Sequence, residues 1–303
     1  LKSKMYREQI LPRIVLGHNQ FFGIDHLAAD RGREREQHFS SPTAAVNIIE
    51  RSVAHGAEGL MLSTHKKSAS ILDILRSSAQ LKDQLRYYPL LPYAQKYITA
   101  ANQKGLLGAV MDVASEANST EFLRMAWSGA MSVIRRDIKS VLKALITAEL
   151  TVFRKLPLHV VFLHDVCTDL ILALGLKDIL YLYIELIQSE YDCLPGFTTK
   201  NPAEFLRTYS EWGLSDPTIM IHVNKVGFSM NPSKASIEEA LRKYPCHVMA
   251  MSTLASGYLQ PAEAYEYLAT LGTVESVVVG ASSESHLVET FGAIKTSMRC
   301  DVS

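Results

Sequence analysis

The sequence predicts a single (β/α)8 barrel, the TIM-barrel form of the α/β class, with a helical insertion between its third and fourth strands. Three observations predict it. Short runs that are apolar on both faces alternate with amphipathic stretches, as in a parallel sheet covered by helices. The runs number about eight, enough to close a barrel. The 303 residues, 48% hydrophobic and 20% charged, supply one large core and contain no low-complexity tract.

The elements follow in order. "RIVLG" is the first strand, "AVNIIERSVAHG" an amphipathic helix, "EGLMLSTH" the second strand, "ASILDILRSSAQL" its helix and "YYPLLPY" the third strand. From residue 98 to residue 156 the periodicity is helical and no good strand intervenes. This excursion is placed to cap the barrel mouth or to form a contact in a homo-oligomer, and nothing linker-like divides it, so residues 1–303 are read as one domain. "LHVVFLHD", "DCLPGFTTKN", "TIMIHVNKVGF", "HVMAMSTLA" and "SVVVGASS" complete the strands, with helices such as "PSKASIEEALRKYP" and "PAEAYEYLATLG" between them.

Composition narrows the function classes. Lys plus Arg equals Asp plus Glu at 31 each, so no global field draws the chain to nucleic acid or an anionic membrane. The four cysteines, Cys167, Cys193, Cys246 and Cys300, lie far apart without a C-x-x-C pair, which fits reduced thiols rather than a disulfide framework. No run approaches about 18 apolar residues, and none resembles a secretory signal. The expectation is a cytoplasmic protein with a small-molecule partner.

In such a barrel the site forms at the C-terminal ends of the strands. Those ends are polar here: His18, Asn19 and Gln20 after the first, His65 after the second, Tyr93 after the third, His164 and Asp165 after the fourth, Lys200 and Asn201 after the fifth, His222, Asn224 and Lys225 after the sixth, and Ser252 after the seventh. Burying so many polar groups at one rim is costly unless partners or a ligand satisfy them. His164 and Asp165 stand out, because imidazole titrates near neutral pH and a carboxylate can orient it. Alternation along a strand turns only one of the two inward, unless the strand has already ended, and His164 is the expected one. Lys225 offers a second chemistry, a Schiff base with a carbonyl substrate if the barrel wall lowers its pKa. His18, His65, His164 and Asp165 are residue types that suit zinc or iron, without the tight spacing of a metal motif.

The last strand runs into "VVVGASSESHLVETF". Gly280 permits close backbone approach, and Ala281, Ser282 and Ser283 offer N–H and hydroxyl donors at a helix N-terminus, where barrels often hold phosphate. Glu284 and Glu289 oppose a dianion there, and no cation is near in sequence.

This distal stretch resembles the C-terminal half of the aldo-keto reductase superfamily, in which a strand and polar turn, here "AMSTLASGYL", precede a "VVVGAS" strand whose loop holds the cofactor phosphate. "VVFLHDV" is similar to that family's fourth strand with its catalytic histidine, placing the role on His164. Asn201 after "GFTTK" resembles the asparagine that meets the nicotinamide amide. The resemblance implies an oxidoreductase with NADP or NAD, with Ser252 and Asn224 also on the cofactor side. The family's second strand should deliver an aspartate and a tyrosine, but "LMLSTHKKSAS" has neither, and at the tip of the third strand Tyr93 stands where a lysine is expected. Tyr93 then becomes a candidate acid. "LGHNQFFGIDH" and "NKVGFSMNPSK" also look like stretches of a prokaryotic branch of related barrel proteins, a likeness that carries fold and no reaction. A lyase, aldolase or isomerase using Lys225 or His164, a metal-dependent enzyme, and a binding protein stand as alternatives.

Overall fold

A computed structural model describes residues 11–24, 29–92 and 138–298 of the chain. Eight parallel strands close into a barrel in sequence order: β1 (Ile14–Leu16), β2 (Gly59–Ser63), β3 (Arg86–Leu91), β4 (Val160–Leu163), β5 (Leu194–Thr198), β6 (Thr218–His222), β7 (His247–Met251) and β8 (Val274–Val279). Ile14 pairs with Val277 to shut the ring. Each strand falls on its expected apolar run, β3 beginning one residue earlier and β8 two. The expected closed barrel is the observed one.

The runs are apolar throughout because both faces are covered, and alternate residues serve different cores. Val15, Met61, Tyr88, Phe162, Met220 and Met249 pack together inside the barrel, while Leu16, Leu60, Leu62, Val161, Phe197 and Ile221 join the larger core under the helices. Gly196 makes the inner packing possible, since a Cβ there would stand 2.6 Å from the Phe162 ring. The interior is therefore filled with side chains, and only the residues just beyond the strands are left to shape a mouth.

Among the described residues the helices are α1 (Ala29–His38), α2 (Pro42–Ala54), α3 (Lys66–Ser77), α4 (Leu81–Gln84), α5 (Ile138–Leu150), α6 (Asp165–Ala173), α7 (Lys177–Tyr191), α8 (Pro202–Glu211), α9 (Lys234–Lys243), α10 (Pro261–Leu271) and α11 (Glu284–Ser297). Their ends follow local chemistry. Ser41 accepts from the Thr43 amide ahead of Pro42, Ser233 accepts from the Ser236 amide, and Gly272 closes α10 at φ 66°. Within the excursion, α5 is followed by a 3-10 turn at Thr151–Phe153 and by a non-helical turn over residues 154–156; residues 98–137 of the expected stretch lie outside the described residues. No described helix is long and apolar enough to cross a membrane.

Candidate active site

The site starts where β4 stops. The strand ends at Leu163, so His164 caps α6 and Asp165 begins it. The expected alternation of the pair across the sheet therefore does not hold, because strand geometry has already ended. Both side chains instead meet, with His164 Nδ1 2.6 Å from Asp165 Oδ1. The Val166 amide lies 2.8 Å from that carboxylate oxygen and 3.3 Å from His164 Nδ1. The shorter contact takes the amide, so the imidazole donates Nδ1–H to the carboxylate. Burial pushes the Asp165 carboxyl up, but the hydrogen bond and charge of His164 and the ammonium of Lys200 outweigh it, holding the group well below the carboxylate range.

Asp165 Oδ2 lies 3.1 Å from Lys200 Nζ, in the loop after β5. Helix α6 grips the same lysine a second time, one turn on: Asp169 accepts from the Lys200 amide at 3.0 Å and from Thr199 Oγ1 at 2.5 Å. Lys200 Nζ in turn lies 3.2 Å from His222 Nε2 at the end of β6. An ammonium only donates, so Nε2 accepts, the ring carries its proton on Nδ1, and Nδ1–H reaches Ser252 Oγ at 2.9 Å. Ser252 holds φ at 54°, left-handed backbone that costs a non-glycine residue roughly 1 kcal/mol. One hydrogen-bonded chain thus crosses the rim from β4 to β7: His164, Asp165, Lys200, His222, Ser252.

His222 was read from the sequence only as a strand end, yet it is the hub. The signal lay in alternation, since it shares a face with Met220, which packs inside the barrel. Lys225, preferred in its place, lies beyond the strand and pairs with Glu263 at 2.8 Å, its side chain 48% exposed.

Other expected site residues turn inward on the fold. Asn201 caps α8 by accepting from the Glu204 amide. Asn224 is fully buried and holds Phe228 by both ends of its amide, accepting from its N–H and donating to its carbonyl, each at 2.8 Å. Both are short side chains that bond nearby backbone, which is why strand-end position misled. His65 caps α3, taking the Lys67 amide on Nδ1, and its ring stacks on Phe22 at 4.6 Å. Tyr93 lies outside the described residues. Near His65, His18 is buried with Nδ1 unpartnered, and burial lowers its pKa to about 4, so the ring is neutral. Among the described residues no three His, Cys, Asp or Glu side chains are arranged to hold a metal ion.

The turn from Gly280 to Ser283 is more occupied than its sequence suggests. A Cβ on Gly280 would lie 2.5 Å from Gln20 Oε1, and Gln20 Nε2 donates to the Gly17 carbonyl, so the close approach that glycine permits is made by this side chain. Ala281 is buried, and Ser283 caps α11 by accepting from the His286 amide. The missing cation is present after all: Arg51 of α2 bonds Glu284 in the first turn of α11, with His55 3.7 Å from the same carboxylate. Arg51 lies 233 positions away, beyond any local reading.

No family model and no curated protein matches the chain. Solved structures do. A Pseudomonas aeruginosa protein named for the aldo-keto reductases superposes with a TM-score of 0.58 at 14% identity, covering 96% of this chain and 92% of that one. The holo form of an aldo-keto reductase from Bacillus halodurans gives 0.56 at 12% identity over 93% and 86%. A Klebsiella pneumoniae aldo-keto reductase in complex with NADPH gives 0.51 at 12% identity over 94% and 86%. At such identities the likeness is one of fold: this chain is a (β/α)8 barrel similar to those of these aldo-keto reductases.

Proposed function

We propose that the chain is an oxidoreductase that reduces a small polar carbonyl compound with a nicotinamide dinucleotide, drawing its catalytic groups from the β4 to β7 side of the rim. The observation that carries this reading is the chain from His164 to Ser252, a connected set of charged and hydrogen-bonding groups at the mouth of this barrel. A carbonyl oxygen gains negative charge on reduction, and fixed donors at a low-dielectric mouth stabilise it.

The residues present fit the cofactor. The first amides of α11, a 14-residue helix, point toward the Ser282–Ser283 turn. Arg51 would exchange Glu284 for a phosphate, and Ser282 and Ser283 would add donors. The nicotinamide group supplies a hydride when bound. A neighbour of the same fold binds NADPH, which supports the assignment. Around it, Asp165 holds Lys200 and His164 in place, and Lys200 sets the tautomer of His222, whose Nδ1–H Ser252 accepts.

Fluorescence titration with NADPH, NADH and inorganic phosphate tests the reading. The native protein should bind NADPH in the micromolar range, and Ser282→Asp, which adds charge to the turn without touching Gln20, should weaken it at least about tenfold, as expected for a like charge beside phosphate. No binding at millimolar concentration, or no effect of the substitution, overturns the cofactor assignment.

A further inference from the structure

The barrel's second strand lacks the acid and tyrosine of the family it resembles, so a reductase built on it needs another proton donor. We propose that Lys200 is that donor, its ammonium fixed by α6 and His222 and presented at the barrel mouth to the substrate's carbonyl oxygen. The proposal rests on the reductase reading above.

The geometry carries it in three ways. Lys200 is held at both ends by one helix, its backbone N–H by Asp169 and its Nζ by Asp165, so a flexible side chain is fixed in position. The Asp–x–x–x–Asp spacing puts both carboxylates on one face of α6. Second, two of the three Nζ hydrogens go to Asp165 Oδ2 and His222 Nε2, which leaves the third for a ligand among the described residues. The side chain is 54% exposed, while its partners Asp165 and His222 are buried. Third, His222 lies on the inward face of β6, so Nζ leans over the mouth and not toward the outer surface. Lys225 and Lys67 have none of these features, each pairing with a surface glutamate.

The step balances. The carbonyl carbon would gain a hydride, with its two electrons, from a reduced nicotinamide bound at the mouth. The C=O π pair moves onto oxygen, which takes H⁺ from Lys200 Nζ, so an N–H bond breaks as an O–H bond forms. Lys200 is left as a neutral amine and recovers a proton from water on its exposed side. Asp165 and His222 are positioning residues, since neither reaches the reacting oxygen except through Lys200.

The test uses NADPH with DL-glyceraldehyde as probe, following absorbance at 340 nm, and compares the native protein with Lys200→Met and Lys200→Arg. Lys200→Met should keep NADPH affinity and the KM for glyceraldehyde within about threefold while kcat falls at least about 100-fold, the range of general acid catalysis. Lys200→Arg, which keeps charge but does not surrender a proton at neutral pH, should recover less than about a tenth of the native rate. A cofactor-free readout accompanies these: in ¹⁵N spectra of the imidazoles, the His222 Nε2 signal should move in Lys200→Met, as it loses its donor, while circular dichroism stays native. A Lys200→Met kcat within tenfold of native, or an unmoved His222 signal, overturns the role of Lys200 and leaves the reductase reading standing. Failure of the native protein to bind NADPH or to turn over the probe overturns the reductase reading and this proposal with it.

Discussion

The barrel carries a histidine–carboxylate pair at each end, and the two differ in everything but their chemistry. At the C-terminal mouth His164 Nδ1 lies 2.6 Å from Asp165, and at the opposite end His247 Nδ1, at the start of β7, lies 2.8 Å from Glu275 of β8. The imidazoles are equally covered, with 28% of each side chain exposed, but Asp165 is 12% exposed and Glu275 37%. Asp165 also meets Lys200 and, through it, His222 and Ser252, whereas His247 and Glu275 clamp two neighbouring strand ends. The same pair of groups is a local tie in one place and a link in a rim-wide network in the other. What differs is where the chain goes next: β4 runs straight into a helix whose first turn faces the β5 loop.

Breaking the mouth pair should have the larger effect. Asp165→Asn leaves the Lys200 ammonium without its counter-charge, a change that costs about 3–5 kcal/mol in a fully buried pair. Lys200 is half exposed and can be rehydrated, so about 2 kcal/mol is expected by urea unfolding. Since the Asp165 carboxyl is held below its ordinary range, its contribution is complete above the unfolded value near pH 4 and is lost only as pH falls through the native value. The cost of Asp165→Asn should therefore be constant from pH 5 to pH 9, and a cost that vanishes within that window would show that the network does not act on this carboxylate.

The pair at the other end should behave in the opposite sense. The hydrogen bond that His247 donates to Glu275 raises its pKa above the ordinary value, against the burial that lowers it. Its stabilisation is complete below about pH 6.5 and is lost as pH rises through the raised value. Glu275→Gln should cost about 0.5–1 kcal/mol at pH 5.5, and the difference from native should close by pH 9. Thermal unfolding across that range checks it, and a pH-independent difference would contradict the titration.

The smallest effect should come at the far end of the mouth network. Ser252→Gly removes the acceptor for His222 Nδ1–H, worth about 1 kcal/mol, and relieves a similar amount of left-handed strain. Stability should stay within about 0.5 kcal/mol of native by urea unfolding, while the His222 Nδ1–H loses its acceptor and its ¹⁵N signal moves, the tautomer itself still set by Lys200 at Nε2. A loss above about 2 kcal/mol would mean that the strain estimate is wrong.

The eight strands were legible because each is a short apolar run between turn residues, and a strand covered on both faces has no polar alternative. The helix ends were legible for the same local reason: Ser41, Ser233 and Gly272 act on backbone within a few residues. Strand-end polarity pointed to the rim on which His164, Asp165 and Lys200 meet. The division of labour along that rim was not local. Asn201 and Asn224 were drawn off by backbone groups three and four residues away, and Arg51 reached Glu284 across 233 positions. Gln20 came to lie against Gly280 only because β1 and β8 are neighbours in the closed ring. Sequence by itself determined which segments are buried and where backbone turns, since hydrophobic period and capping act over a few residues. Which polar group faces which was decided by closure of the barrel, because that step brings the ends of β4, β5, β6 and β7 within hydrogen-bonding distance of one another.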